Sequence, residues 1–369
     1  MKVVVIGAGV FGASTAYHLA QLGADVTVVD RADLGRATAA GAGIVCPWVG
    51  AAPDPDDAAI ASASGRYYPE FVARLARDGV EDVGYRKVGA LVVPEAREAL
   101  DATEERLAAR SAEAVEMGAV RRLTPAQASA LFPVLRRDLA AIQVEGAGRV
   151  DGRVLAKALL TATEMRGGRV ESGSASEIVT TDGRVSGVRV GARTLPAEAA
   201  ILATGAWAPE LLGQFGLSIE VAPQRGQIIH LRLASQDTQA WPIILPLNSY
   251  YMLAFDAGRI VVGATRETGS GFDYRVTAGG LAEVLKFGLT WAPGLAEAEL
   301  IETRVGFRPM AAGDKPMLGA VPTVPGLFVG DGLGHSGLTL GPFAGKMLAD
   351  IVLERVCELD PAPFSPFGA

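Results

Sequence analysis

Two short apolar runs, at residues 3–6 and 26–29, flank a helical stretch, and glycines interrupt the join between the first run and that helix. Runs this short, bounded by turn residues, read as buried strands. The opening of the chain therefore predicts strand, helix, strand. A turn follows at Asp54 to Asp57 with its two prolines, Pro53 and Pro55, and residues 58–78 then carry apolar positions at helical spacing. Residues 88–93 (VGALVV) read as a short strand. Residues 95–117, rich in Ala, Glu and Arg, read as an amphipathic helix with a solvated face. Thr124 and Pro125 supply a cap and a first helical position for another short helix.

The second half changes period. Residues 151–166 predict a helix capped by Asp151, and from residue 169 polar and apolar positions alternate around Asp182-Gly183, a hairpin signal. This meander ends in a buried strand at 200–203 and a tight turn. Residues 223–265 are again strand-rich. A helix near 277–289, a strand at 326–329, a glycine loop and a helix from Pro342 to about Val356 complete the chain. The expected fold class is α/β and α+β, with separate nucleotide-binding and substrate parts.

The glycines give the first unit its chemistry. Gly7 allows a sharp turn out of the strand, Gly9 lets a pyrophosphate approach the backbone, and Gly12 lets the helix pack closely. The helix start, at Val10 and Phe11, then favours phosphate. Asp30, eighteen residues after Gly12 and followed by Arg31, is placed to accept hydrogen bonds from a ribose diol. The small residues from Gly35 to Gly43 predict a loop lying against a flat ligand.

Composition narrows the partners. Of 369 residues, 49% are hydrophobic and 20% charged, as in an ordinary globular protein, and the formal charge of −7 gives no reason to expect nucleic acid. No uninterrupted apolar stretch is long enough for a membrane span. Cys46 and Cys357 are too few for a disulfide framework or a zinc site, which points to a reducing, cytoplasmic location. Small molecules are the expected partners, with a homo-oligomer left open and no metal site expected.

Several ordered motifs span the whole chain: ILATGAW at 201–207, PQRGQ at 223–227, VVGAT at 261–265, GFRPMAAGDKPMLG at 306–319 and GLGHSGLTLGP at 332–342. With the N-terminal unit, they make the chain resemble the flavin-dependent amine oxidoreductases of the D-amino-acid oxidase and glycine oxidase family. The resemblance implies a Rossmann-type FAD-binding domain from residues 1–84, 148–222 and 303–369. It also implies a substrate-binding domain from 85–147 and 223–302, built on a large, mostly antiparallel sheet. Further cofactor contacts are implied at Thr38, Ala39, Ala40, Gly41, Gly43, Ala175, Thr204, Gly205, Trp207, Arg308, Gly334, Gly337, Leu338 and Thr339. Backbone N–H groups of Gly337 to Leu340 are expected to face the flavin pyrimidine ring, where a helix N-terminus favours negative charge.

Arg308 stands where this family places its carboxylate-binding arginine, and a guanidinium can hold a carboxylate in a two-point fork. Tyr251 aligns with a carboxylate-contacting tyrosine, whereas Tyr250 should face the other side of its strand. His335 is a candidate proton acceptor or gate, competing with a structural role; His18 and His230 read as packing or surface residues. No cysteine lies at 304–319, which implies non-covalent FAD. The resemblance implies oxidation of a small amino acid or N-substituted glycine to an imine, with oxygen or another electron acceptor reoxidising the flavin. A dehydrogenase using a non-oxygen acceptor, an NAD(P)-dependent enzyme and a non-catalytic flavin-binding protein are the alternatives.

Overall fold

The computed structural model describes residues 1–50, 54–234, 236–312 and 315–368. Pro53 of the predicted turn and the Gly313-Asp314 pair of the 306–319 motif lie outside the described residues. Lys2–Ile6 is a central strand of a six-stranded sheet, paired in parallel with Asp25–Asp30 on one side and Ala199–Leu202 on the other. Arg169–Ser172 and Leu327–Asp331 continue the parallel pairing outward, and Met317–Ala320 closes one edge antiparallel. Because side chains alternate across a strand, Val3 and Val5 enter one core and Val4 and Ile6 another.

The first core lies under the helices Val10–Gln21, Pro55–Arg77, Gly152–Met165 and Gly337–Val352. Every residue from Val10 to Ala20 is buried, as expected of a helix that is covered all round. The second core lies under a three-stranded meander, Ala175–Thr181, Arg184–Val190 and Arg193–Pro196. Asp182 and Gly183 turn it with φ of 52° and 76°, the paired positive angles of a type I′ hairpin.

The other large sheet is mostly antiparallel. Val221–Arg232 runs between Arg259–Gly263 and Glu299–Ala311, and Tyr251–Ala254, Ile243–Leu245, Ala90–Val92, Ala141–Val144 and Val120–Leu123 extend it. One face, with Ile229, Leu231, Met252 and Val262, packs on the helix Ala278–Trp291. The opposite face, with Ile228, Leu253 and Val261, turns towards the nucleotide half. By strand pairing, residues 303–311, assigned above to the nucleotide domain, lie in this antiparallel sheet.

The last helix departs most from expectation: it starts at Gly337, not Pro342, and ends at Val352. Proline within a helix leaves the carbonyl four residues earlier without its donor. Here that carbonyl belongs to Leu338, and the Tyr68 hydroxyl donates to it at 2.8 Å, so the helix continues through the proline. The segment expected to be a loop at 35–43 likewise contains one helical turn, Ala37–Ala40. No helix among the described residues is long and apolar enough to cross a membrane.

Candidate active site

A cleft of about 1190 Å³ runs between the two sheets. That exceeds the usual volume of a site for one drug-sized ligand, about 300–1,000 Å³. It is lined from the nucleotide half by Gly9, Asp30, Arg31, Thr38, Ala175, Gly205, Trp207 and Leu338, from the antiparallel sheet by Tyr251 and Arg308, and by His335 ahead of the last helix. Gly7, Val10, Phe11, Ala40, Gly41, Gly43, Thr204, Gly334, Gly337 and Thr339 also line it.

Two predicted contacts do not reach the cleft wall. Gly12 lies behind it, where a Cβ would stand 2.0 Å from the Gly7 carbonyl oxygen, so its small size serves the packing of helix on strand. Ala39 is turned towards the other sheet, and its carbonyl accepts hydrogen bonds from Arg153 Nε (3.0 Å) and Arg304 Nη1 (3.4 Å).

The nucleotide end is pre-organised. Asp30 accepts from the Ala8 and Ala32 amides at 2.7 Å each and from Arg36 Nη1 at 3.0 Å, which fixes its carboxylate at the strand end. Thr38 Oγ1 accepts from the Val10 amide at 2.9 Å and so ties the small-residue segment to the helix start. At the last helix, the Thr339 and Leu340 amides both donate to Ser336 O at 2.9 Å. This removes two of the four N–H groups expected to face a ligand; Gly337 and Leu338 keep that position.

The residues fit a long cofactor with phosphates and hydroxyls. A Cβ on Gly9 would meet only Thr38 Oγ1, at 3.4 Å, so the protein itself leaves the space at Gly9 open. Asp331, which the sequence reading missed, lines the cleft fully buried, with Oδ1 accepting from the Gly332 amide and Oδ2 without a partner. Burial pushes its pKa up to about 8. Thr204 Oγ1 is also buried without a partner in the wall. Such orphaned polar atoms are costly unless a bound group satisfies them, and a polyhydroxyl chain would do so. The signal was available: Asp331 ends an apolar strand before a glycine loop, just as Asp30 does.

At the far end, two glycines make room for the side chains that matter. A Cβ on Gly226 would stand 2.6 Å from Arg308 Nη2, and one on Gly263 would stand 2.9 Å from the Tyr251 hydroxyl. Arg308 Nη1 donates to Thr265 O (3.1 Å) and Gln224 Oε1 (3.3 Å), which orients the guanidinium and leaves further donors for a ligand. Burial lowers the Arg308 pKa and raises that of Tyr251, and each group is felt by the other. Arg225 of the PQRGQ motif is different: it is held by Glu267 (2.5 Å) and Asp273 (2.8 Å). Tyr250 faces away, stacking on Phe287 and donating to Glu283.

His335 is exposed in the turn before the last helix, at the cleft wall. His18 and His230 are buried, and burial lowers both pKa values to about 3, so they stay neutral. Cys46 lines the cleft, with burial pushing its thiol up to about 12. Arg266 and Arg106 also reach the cleft, and neither has an acidic partner among the described residues. Sequence patterning could not single out these arginines, since their significance lies in what surrounds them.

The comparisons with known proteins agree with this geometry. A family model described as DAO, FAD dependent oxidoreductase, matches residues 2–351. The structure is similar to that of iminodiacetate oxidase from Chelativorans sp. BNC1, at 50% identity and a TM-score of 0.95, covering 99% of this chain and 98% of that one. The sequence is 46% identical to the uncharacterized oxidoreductase YurR of Bacillus subtilis, over 99% of this chain and 98% of the relative. It is 30% identical to glycine oxidase of Pseudomonas aeruginosa, over 100% of this chain and 99% of the relative.

Proposed function

This chain belongs to the DAO family of FAD-dependent oxidoreductases, and we propose that it oxidises an N-substituted glycine or small amino acid to an imine, which water then hydrolyses. The pairing of Arg308 and Tyr251 at one end of a dinucleotide-sized cleft carries this reading. The similarity to a glycine oxidase and an iminodiacetate oxidase supports it.

FAD would be held by Asp30, the Gly9 backbone, Asp331 and the Gly337 and Leu338 amides, and when bound it accepts a hydride from the substrate α-carbon at N5. The chain's own task is placement. Arg308 holds the carboxylate in a fork and Tyr251 donates to it, so the α-hydrogen is presented in one orientation. Once the amine is neutral, no strong side-chain base is required. His335 is left as a proton acceptor or gate at the wall. Arg266, which has no acidic partner among the described residues, favours a substrate with a second acid, as in iminodiacetate.

Anaerobic mixing with iminodiacetate, sarcosine, glycine and D-amino acids tests this directly. We expect bleaching of the flavin by the N-substituted glycines, iminodiacetate most efficiently, and peroxide on admitting air. A flavin that no amino acid bleaches would leave the non-catalytic reading in its place. Bleaching without peroxide in air would favour a dehydrogenase with another acceptor.

We also propose that FAD is bound non-covalently and that the protein is cytoplasmic, with both cysteines free. Cys46 lies in the cleft wall, but a thiol with a pKa near 12 supplies almost no thiolate for attachment. Acid precipitation should therefore release the yellow colour into the supernatant. A yellow pellet would contradict this, and loss of that colour in Cys46→Ser would identify the attachment.

A further inference from the structure

Arg106 and Arg110 lie one turn apart on the helix Ala99–Glu113, so their side chains share a face. That face meets the 46–50 segment. Arg110 Nη1 donates to the carbonyls of Trp48 (2.6 Å) and Gly50 (2.7 Å), and Arg106 Nη1 donates to that of Val49 (2.9 Å). Neither guanidinium has an acidic partner among the described residues. Asp101 and Glu104 of the same helix are both paired with Arg122.

Arg106 differs from Arg110 in lining the cleft itself, half-buried beside Val49. Burial lowers its pKa, and the charge of Arg110 adds to that. Two like charges at this spacing, one partly desolvated and without a counter-ion among the described residues, form an arrangement that an incoming anion would relieve. A guanidinium has five N–H donors, and the Val49 carbonyl takes only one of them.

We propose that Arg106 is an anion-capture site at the cleft rim, which receives a carboxylate of an N-substituted glycine bearing two carboxylates before the substrate is seated at Arg308. This rests on the reading of the site as one for amino acids with a second acid. The whole chain, with a formal charge of −7, repels such a substrate at long range. Two neighbouring cations without acidic partners among the described residues offset that repulsion where the substrate must pass. The effect is kinetic and screened by salt.

The test compares anaerobic flavin reduction by iminodiacetate and by sarcosine over a range of ionic strength, in the wild type and in Arg106→Gln. For iminodiacetate, the second-order rate constant of the variant should fall about tenfold at low salt and its salt dependence should flatten. For sarcosine, whose net charge is near zero, the fall should be under about twofold. Equal losses for both substrates, or loss of FAD with them, would assign Arg106 to holding the 46–50 segment and overturn the proposal. If the Gln variant does not fold, Arg106→Lys decides, because it keeps the charge: its salt slope should match the wild type, and a flattened slope overturns the proposal. A wild type reduced by neither substrate overturns this inference together with the reading of the site. A wild type reduced by both, with an unchanged slope in Arg106→Gln, overturns only the role of Arg106.

Discussion

A Gly9→Val protein is expected to fold and to purify colourless. Gly9 has φ −66°, which any residue adopts, and a Cβ there meets nothing in the protein closer than 3.4 Å. What a valine would occupy is the space through which a pyrophosphate approaches the helix start. Overpacking a filled space costs about 1–3 kcal/mol, and displacing an anion from a helix N-terminus costs about 1–2 kcal/mol more. Together these weaken FAD binding by roughly one and a half to three and a half orders of magnitude. Gly12→Val is the contrasting control, since its Cβ would stand 2.0 Å from the Gly7 carbonyl oxygen and should prevent folding. Flavin absorbance per protein and a circular dichroism melt separate the two. Full flavin occupancy in Gly9→Val would mean that the pyrophosphate lies elsewhere.

The same two glycines illustrate what was legible in the sequence. The strand, helix, strand unit, the Thr124 cap with Pro125 at the first helical position and the Asp182-Gly183 turn depend on neighbours within a few residues, and patterning finds them. Asp151, which caps the helix Gly152–Met165 through the Arg153 and Val154 amides, is another. The start of the last helix was not legible because Gly337 and Pro342 disfavour helix locally. A hydroxyl 270 residues away, on Tyr68, compensates for the proline.

The pairing of Val221–Arg232 with Glu299–Ala311 was hidden for a related reason. It carries Gly226, Pro223 and Pro309, which weaken any strand signal, yet Gly226 is what leaves room for Arg308. The family resemblance named Arg308 and Tyr251, whereas the residues that shape their surroundings emerge only from the fold. Asp331, Arg266 and Arg106 belong to that second group. Each is unremarkable by type and becomes informative when its charge or its oxygen has no partner among the described residues.

Arg308→Ala should remain yellow and folded, and should lose most of its preference for an amino acid over the matching amine without a carboxylate. Thr265 O and Gln224 Oε1 would lose a donor, but Gln224 keeps its own bond from Nε2 to Thr268, so the local sheet is retained. Loss of a charged fork to a desolvated carboxylate costs about 2–4 kcal/mol of transition-state binding, or roughly thirty- to a thousand-fold in kcat/KM. FAD content should stay near that of the wild type, because Asp30, the space at Gly9 and the Gly337 and Leu338 amides are untouched. Arg308→Lys keeps the charge without the planar fork and should recover only part of the loss. The decisive ratio is kcat/KM for sarcosine over that for dimethylamine, measured in wild type and both variants. A ratio that survives in Arg308→Ala would remove Arg308 from the role of carboxylate anchor and transfer it to Tyr251, His335 or Arg266, which also line the cleft.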